Sequence, residues 1–402
     1  MTEDQSQRPL APRIFACALL CIGAILQLLG TDLVLPAIPS LPDAIGGNLV
    51  LGQLVLAAYI LGIAGGLLAF GALGGRFGRR RLLIISAFAF ALTSVLAGQA
   101  QTMEQLIGLR VLQGFVSAAP TVFGAGLIRS LFSEAGATKA IGALGSLESL
   151  APAIGPIFGA GLLAIGDWTL SFYVLGVASF LSGCLLLAAR GVLPPATVSP
   201  AAEGGSYLKL LRSPTYLRYA LSQSAVLGGL LTFVFAAPVV ITNTMSGSTT
   251  DFIIMQVIGV SCFIVASNSA GFLVGRVGPE PMIWFGTCLC LIAMVLMALY
   301  AGFGGINTLV MAALFAPLNA GLGLRGPPGF LRAVIAGNGD DDRATSLMIL
   351  CIFGATMLGT VIMAPLLEGG LFVLALGVGS FELVAVGLLY RLPQLKPSQT
   401  AE

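Results

Sequence analysis

Apolar residues follow one another along this chain in blocks of some twenty positions, broken by short polar stretches. A bilayer core of about 30 Å is crossed by about 20 helical residues. Blocks of that size fall at 14–36, 50–73, 82–100, 105–128, 140–165, 169–189, 217–241, 251–275, 281–303, 305–325, 344–366 and 369–390. The pattern predicts an all-α membrane protein with twelve transmembrane helices, spans 1 to 12. An even number of crossings returns both termini to one side. The first block, preceded by Arg8 and Arg13, superficially resembles a signal peptide. No small-x-small cleavage site follows, and the block is long enough to cross, so it is read as a retained span 1. Between spans 9 and 10, Gly302, Gly304 and Gly305 allow only a tight turn.

Composition agrees with lipid as the solvent. Hydrophobic residues make up 57% of the 402 and charged residues only 9%, against about 25% charged in a soluble domain. No soluble fold of this length hides so much apolar surface. The net charge of +2 gives no reason to expect nucleic acid as a partner. The placement of charge says more. With the N-terminus inside, every Lys and Arg except Arg110 falls on an inner segment. The outer loops carry Asp43, Glu104, Asp167, Asp251 and Glu368. That sorting follows the positive-inside rule and puts both termini in the cytoplasm. There is no histidine, which removes histidine metal sites and histidine proton relays together. The seven cysteines all lie in apolar runs and read as small buried hydrophobes. Neither a metal nor another cofactor is expected, and any proton carrier must be a carboxylate.

The longest internal polar stretch, 191–216, contains Pro194, Pro195, Pro200, Gly204 and Gly205 and reads as a flexible cytoplasmic linker. It divides the chain into two six-helix bundles, 1–190 and 217–402. The halves repeat. Gly71-Ala-Leu-Gly-Gly75-Arg76-Phe-Gly78 after span 2 and Gly271-Phe-Leu-Val-Gly275-Arg276-Val-Gly278 after span 8 both read G-x-x-x-G-R-x-G. Paired parallel halves with a binding site between them near mid-membrane are a transporter architecture.

Within the predicted spans stand four charges, Asp32, Arg110, Glu148 and Glu382. Each costs a few kcal/mol or more at mid-bilayer unless paired or facing water. Asp32 lies roughly 27 Å along span 1, and Arg110 enters span 4 from the outside at a similar depth. Two readings stay open: an ion pair that only holds helices together, or a pair remade during a transport cycle. Glu148 lies roughly 12 Å into span 5 and has no basic residue nearby in sequence. It is either a reversible proton site or a glutamate packed against Ser146 or Ser149. Glu382, in terminal span 12, is the weakest of these candidates. Span 5 continues Ala151-Pro152-Ala-Ile-Gly155-Pro156-Ile-Phe-Gly159, whose prolines bend a helix and whose glycines admit a close neighbour. The run Arg76, Arg79, Arg80, Arg81 can be topology signal alone.

Taken in order, these motifs resemble the major facilitator superfamily over nearly the whole chain. Gly71-x-x-x-Gly75-Arg76-x-Gly78-Arg79-Arg80 resembles its loop between spans 2 and 3. Leu106-x-x-x-Arg110-x-x-Gln113-Gly114 resembles the span 4 motif, whose arginine is linked to proton coupling. Ala151-Pro152-x-x-Gly155-Pro156-x-x-Gly159 resembles the span 5 antiporter motif. Thr31-Asp32-Leu-Val-Leu-Pro36 resembles the span 1 pattern of bacterial drug–proton antiporters, the bicyclomycin and chloramphenicol resistance-type exporters in particular. Three departures stand out. The signature loop has Gly75 where the family has an aspartate, so the Asp–Arg contact thought to latch the inner face has no acid there. Thr169 follows Trp168 where the subgroup often has arginine. Glu148 is not something the family pattern requires.

The resemblance implies a bacterial inner-membrane, proton-coupled exporter of small, largely hydrophobic compounds, with no enzymatic activity. Asp32, Arg110 and Glu148 would serve proton coupling. Gly71, Gly75, Arg76, Gly78, Arg79, Arg80, Gln113, Gly114, Pro152, Gly155, Pro156 and Gly159 would serve conformational change. The expected partners are a small-molecule substrate, protons and the bilayer, bound by a monomer. A dedicated exporter or proton symporter of one metabolite is the rival. A membrane enzyme lacks a polar cluster to work with, and a sensor lacks a sizeable soluble domain.

Overall fold

The computed structural model describes residues 10–47, 49–193 and 206–395. The expected linker therefore lies outside the described residues over 194–205, as do Arg8 and Lys396. The described side chains also exclude Pro152 and Pro156.

Every long apolar block is a helix. The helices are Leu10–Asp32 (span 1), Leu49–Phe77 (span 2), Arg79–Ala97 (span 3), Met103–Ser117 with Ala119–Leu131 (span 4), Glu134–Ile165 (span 5), Thr169–Ala188 (span 6), Pro214–Thr244 (span 7), Thr249–Val277 (span 8), Pro279–Gly302 (span 9), Thr308–Ile335 (span 10), Asp341–Met363 (span 11) and Gly370–Arg391 (span 12). Among the described residues eleven segments are long and apolar enough to cross a bilayer, and the 32-residue helix Glu134–Ile165 lies between two of them. No strand occurs among the described residues.

Local chemistry explains the ends. Thr102, Ser213, Ser248 and Asn307 cap spans 4, 7, 8 and 10 by accepting from the first-turn amides. Ser248 and Asp251 complete a capping box. Gly78 and Gly278, the last glycines of the repeated motif, have φ of 84° and 85°. Both end a helix in the left-handed region where only glycine is unstrained. The motif's final position is thus a backbone requirement met twice. Gly304 turns the chain between spans 9 and 10 with φ 81°.

Three span boundaries differ from the sequence reading. Span 1 stops being α-helical at Asp32 and continues as a 3₁₀ segment, Leu35–Ser40, and a short helix, Leu41–Ile45. Pro36 and Pro39 lack the N–H groups an α-helix needs there. Span 4 breaks at Ala118, because Pro120 withdraws a donor from the next turn. Span 10 does not end at 325 but runs unbroken to Ile335 through Pro317, Pro327 and Pro328. Arg325 and Arg332 therefore lie within the span 10 helix, where the sequence alone puts them on an inner segment.

By contact density the described residues form two units. Among the described residues one comprises 10–47, 49–132, 147–193 and 339–346, the other 133–146, 206–338 and 347–395. The first unit includes the start of span 11, the second the start of span 5. In the first unit a Cβ on Gly74 of span 2 would stand 2.6 Å from the Phe123 ring and collide with the Asp342 carboxylate of span 11. In the second, a Cβ on Gly271 of span 8 would stand 2.6 Å from Cβ of Lys139 in span 5. Each copy of the glycine motif thus seats the first turns of a helix from the other sequence half.

Candidate functional site

In the first unit, the span 4 motif builds a buried polar line. Leu106, Arg110, Gln113 and Gly114 recur at helical spacing and share one buried face. Glycines bring the neighbours within reach: a Cβ on Gly114 would strike the Tyr59 carbonyl, and one on Gly62 or Gly66 would strike the carbonyl of Val111 or Phe115. Spans 2 and 4 therefore pack backbone to backbone. That contact lays the Arg110 guanidinium 4.2 Å from the centroid of the Tyr59 ring, a cation–π geometry.

Arg110 has 0% exposure, so its donors must be met inside the protein. Nη1 donates to the Gly30 carbonyl at 2.8 Å and to Gln113 Oε1 at 2.7 Å, and Nε donates to the Val55 carbonyl at 3.3 Å. Gln113 Nε2 passes the chain to Ser94 Oγ of span 3 at 2.7 Å. Tyr59 donates to the Gln27 carbonyl at 2.7 Å. Arg110 Nη2 has no partner among the described residues.

Asp32 does not pair with Arg110. The structure corrects that expectation: Arg110 takes the carbonyl of Gly30, two residues before Asp32, in place of the carboxylate. The Asp32 side chain lies instead against span 5, where a Cβ on Gly155 would overlap it. A Cβ on Gly159, one turn on, would overlap the Leu33 carbonyl. The antiporter-motif glycines thus admit the end of span 1. Asp32 is part-exposed, and it makes no hydrogen bond or ion pair among the described residues. Ser171 Oγ of span 6 donates to the same Leu33 carbonyl at 3.3 Å.

Glu148 is also part-exposed and unpaired among the described residues. Cys21 of span 1 lies within its electrostatic reach. Ser146, one of its expected packing partners, donates to the Gly142 carbonyl and accepts from Asn268 Nδ2, each at 2.8 Å. At the turn between spans 5 and 6, the Thr169 hydroxyl and amide donate to Asp167. They hold its carboxyl below the usual range. Thr169 is therefore a capping partner in the place where an arginine was expected.

A small cavity of about 30 Å³ opens among spans 1, 3, 4 and 6, lined by Gln27, Ser86, Ser117, Pro120, Ser179 and Ser182 among others. It has room for about two waters, and its polar lining comes mostly from small hydroxyls.

Near the loop that carries Gly75, ion pairs run from the first half to the start of span 11. Arg79 pairs with Asp342 of span 11 at 2.7 Å and with Asp341 at 3.5 Å, and Arg129 pairs with Asp341 at 2.8 Å. Asp342 is only 4% exposed. Arg76 and Gly75, by contrast, carry no such contact, and Arg76 points outward. In the second unit Arg332 of span 10 pairs with Glu134 of span 5 at 2.7 Å. The acidic run Asp340–Asp342 did not enter the sequence reading. Its signal was three adjacent carboxylates opening an apolar span, on the side where basic residues gather.

The sequence reading also missed the second unit's buried polar cluster. Arg325 has 0% exposure. Its Nη1 and Nη2 donate to the carbonyl and hydroxyl of Ser222 at 2.7 and 3.1 Å. Glu382, the weakest sequence candidate, also has 0% exposure. Arg218 of span 7 ties down the end of span 12 through the Leu389 and Leu392 carbonyls and pairs with Glu280 at 3.0 Å.

Comparison with known proteins agrees with this architecture. The Major Facilitator Superfamily family model matches residues 20–360. An uncharacterised MFS-type transporter, YdgK of Bacillus subtilis, is 29% identical over 272 residues, 66% of this chain and 67% of that protein. A bicyclomycin resistance protein homolog of Haemophilus influenzae is 26% identical over 63% of this chain and 65% of its own. A chloramphenicol resistance protein of Pseudomonas aeruginosa is 26% identical over 68% and 66%. The matched part spans about two thirds of each relative. Among solved structures, the E. coli fucose:proton symporter FucP superposes with a TM-score of 0.74 at 16% identity, covering 95% of this chain and all of that one. The proton:xylose symporter XylE gives 0.70 at 15% identity, covering 95% and 96%.

Proposed function

Because the chain belongs to the Major Facilitator Superfamily, we propose that it is a proton-coupled exporter of small, largely hydrophobic compounds. Its moving bodies are the halves 1–190 and 217–402, joined by a cytoplasmic linker. It works as a monomer in a bacterial inner membrane with both termini in the cytoplasm. The observation that carries the reading is the arrangement at the end of span 1. Asp32 is unpaired and packed on the span 5 glycine. Two residues away, Gly30 occupies the buried Arg110, which keeps one donor unmet.

Protonation neutralises Asp32 and lets it sit against an apolar helix. Deprotonation leaves a carboxylate that gains by moving toward Arg110 and its open Nη2. Arg110 stays charged throughout and serves as the fixed counter-ion. A proton taken up on one side is thereby linked to movement of spans 1 and 5, and Glu148 stands by as a second carboxylate. The ion pairs of Arg79 and Arg129 with Asp341 and Asp342 bind span 11 to the first half until that movement separates them. The names of the relatives support an antibiotic-like substrate; the fold neighbours, sugar–proton symporters, keep uptake of a single metabolite as the rival.

Chloramphenicol content of intact cells, with and without the protein, separates the two. For an exporter, a proton-gradient dissipator raises cellular chloramphenicol. If it instead lowers a protein-dependent accumulation, the direction is uptake and the proposal fails.

A further inference from the structure

Two charged side chains at the heart of the second half are fully buried, and neither is used by the reading above. Glu382 stands near the middle of span 12 with 0% exposure. Neither of its oxygens accepts a hydrogen bond from any described residue. An ionised carboxylate in such a place would be uncompensated, and burying it so is costly. Span 12 packs on spans 7 and 9. Among their charged and titratable groups, Cys290 of span 9 lies within electrostatic reach of Glu382. Arg218 and Tyr219 of span 7 are directed to Glu280. A Cβ on Gly379 of span 12 would stand 3.5 Å from Cβ of Met294, and one on Gly321 of span 10, a turn before Arg325, would stand 2.6 Å from Cys290 Sγ, so Glu382 and Arg325 approach the same stretch of span 9.

Arg325 is held beside that site by backbone approach. A Cβ on Gly286 of span 9 would stand 2.5 Å from the Gly321 carbonyl and 2.7 Å from Cβ of Arg325. Its guanidinium leans on Ser222 alone, and its Nε has no partner among the described residues. Pro327 and Pro328 remove the donors that would hold the carbonyls of Gly323 and Leu324, so the helix is adaptable here. One buried acid lacks any donor, and one buried cation keeps a spare donor.

We propose that Glu382 and Arg325 form a second proton-binding site, in which loss of the Glu382 proton draws the carboxylate and the guanidinium together. In the protonated state Ser222 is the placeholder partner of Arg325. When the proton leaves, the carboxylate takes the place of Ser222 or meets Nε, and spans 10 and 12 shift toward one another. Uptake of a proton releases the pair. The site lies apart from Asp32 and Arg110 and goes beyond the exporter reading, resting on it only for the direction of transport.

The test is infrared difference spectroscopy of the full-length purified protein in lipid, titrated from acid to alkaline pH. It needs no substrate. Wild type is expected to lose a protonated-carboxyl band as pH rises. Glu382→Gln, isosteric with the acid, should lack that band. In Arg325→Gln the band should persist at pH values where wild type has lost it, because the carboxylate has no counter-ion. Glu382→Asp should keep a titrating band at a displaced frequency, and it carries the assignment if Glu382→Gln fails to fold. A Glu382 band that stays constant across the range, or one indifferent to Arg325→Gln, overturns the proposal. A titrating Glu382 band in a protein whose chloramphenicol transport ignores the proton gradient would sink the exporter reading and leave this site standing.

Discussion

The sequence suggests that Asp32 and Arg110 meet, yet the structure keeps them apart, and that changes what their variants should do. Arg110 is satisfied by two carbonyls, Gln113 and the Tyr59 ring. Arg110→Ala therefore strands buried acceptors and should cost about 2–4 kcal/mol, since hydrogen bonds to a charged group are each worth about 1.5–3. Folded yield and melting in detergent should fall together. Asp32→Asn loses no partner and should fold as wild type, but gradient-driven chloramphenicol efflux should drop to background. In the double variant the folding losses should add, because the residues do not touch. Recovery of yield in the double variant would restore the ion pair as the resting state. Glu148→Gln has no partner to lose among the described residues, and its test is the same split: normal yield with impaired coupling, or normal transport if Glu148 only packs.

At the scale of elements, glycine sets which helices touch. Gly62, Gly66 and Gly114 let spans 2 and 4 meet through their backbones, and Gly155 and Gly159 do the same for spans 5 and 1. An added methyl has nowhere to go at these positions, and overpacking of this kind costs about 1–3 kcal/mol. Gly114→Ala should lower the melting temperature and weaken the Arg110 network together. Gly155→Ala should push Asp32 away from span 5, so its expected signature is a loss of coupled efflux larger than its loss of stability. Gly161→Ala, on the same helix with open space at its Cβ, is the control and should behave as wild type. Equal behaviour of the two span 5 variants would remove the glycine contact from the mechanism.

For the whole molecule, ion pairs join Arg79 to Asp341 and Asp342 at the start of span 11. The Arg79–Asp342 pair is largely shielded from water, so removing one partner is costly while exchanging the two is less so. Arg79→Asp should slow chloramphenicol efflux more than tenfold. The exchange Arg79→Asp with Asp342→Arg should recover a measurable part of it; no recovery would mean that the two residues act separately. The topology itself is testable by labelling. Cysteines at Arg81 and Asp167 should react from opposite sides of the membrane, and reaction from one side would overturn the twelve-span arrangement.

Much of this protein is written in one dimension. Spans announce themselves because lipid demands about 20 apolar residues for every crossing. The repeated G-x-x-x-G-R-x-G is legible because its last glycine answers a local requirement, a positive φ at Gly78 and at Gly278. Arg110, Gln113 and Gly114 declared their shared face through helical spacing. Other features depend on partners far away in sequence, and composition is silent on those. The apolar window of span 10 closes at Arg325, yet the helix continues to Ile335. Only packing against spans 7 and 9 makes it pay to carry that arginine inside. Equal depth suggested that Asp32 meets Arg110, but depth is a single coordinate. The rotation of span 1, set by Gly155 and Tyr59, hands Arg110 the Gly30 carbonyl instead. Asp342 beside Arg79 and Glu382 near Arg325 join residues from distant stretches of chain. Such pairings exist only once helices have chosen their neighbours, and that choice belongs to tertiary structure.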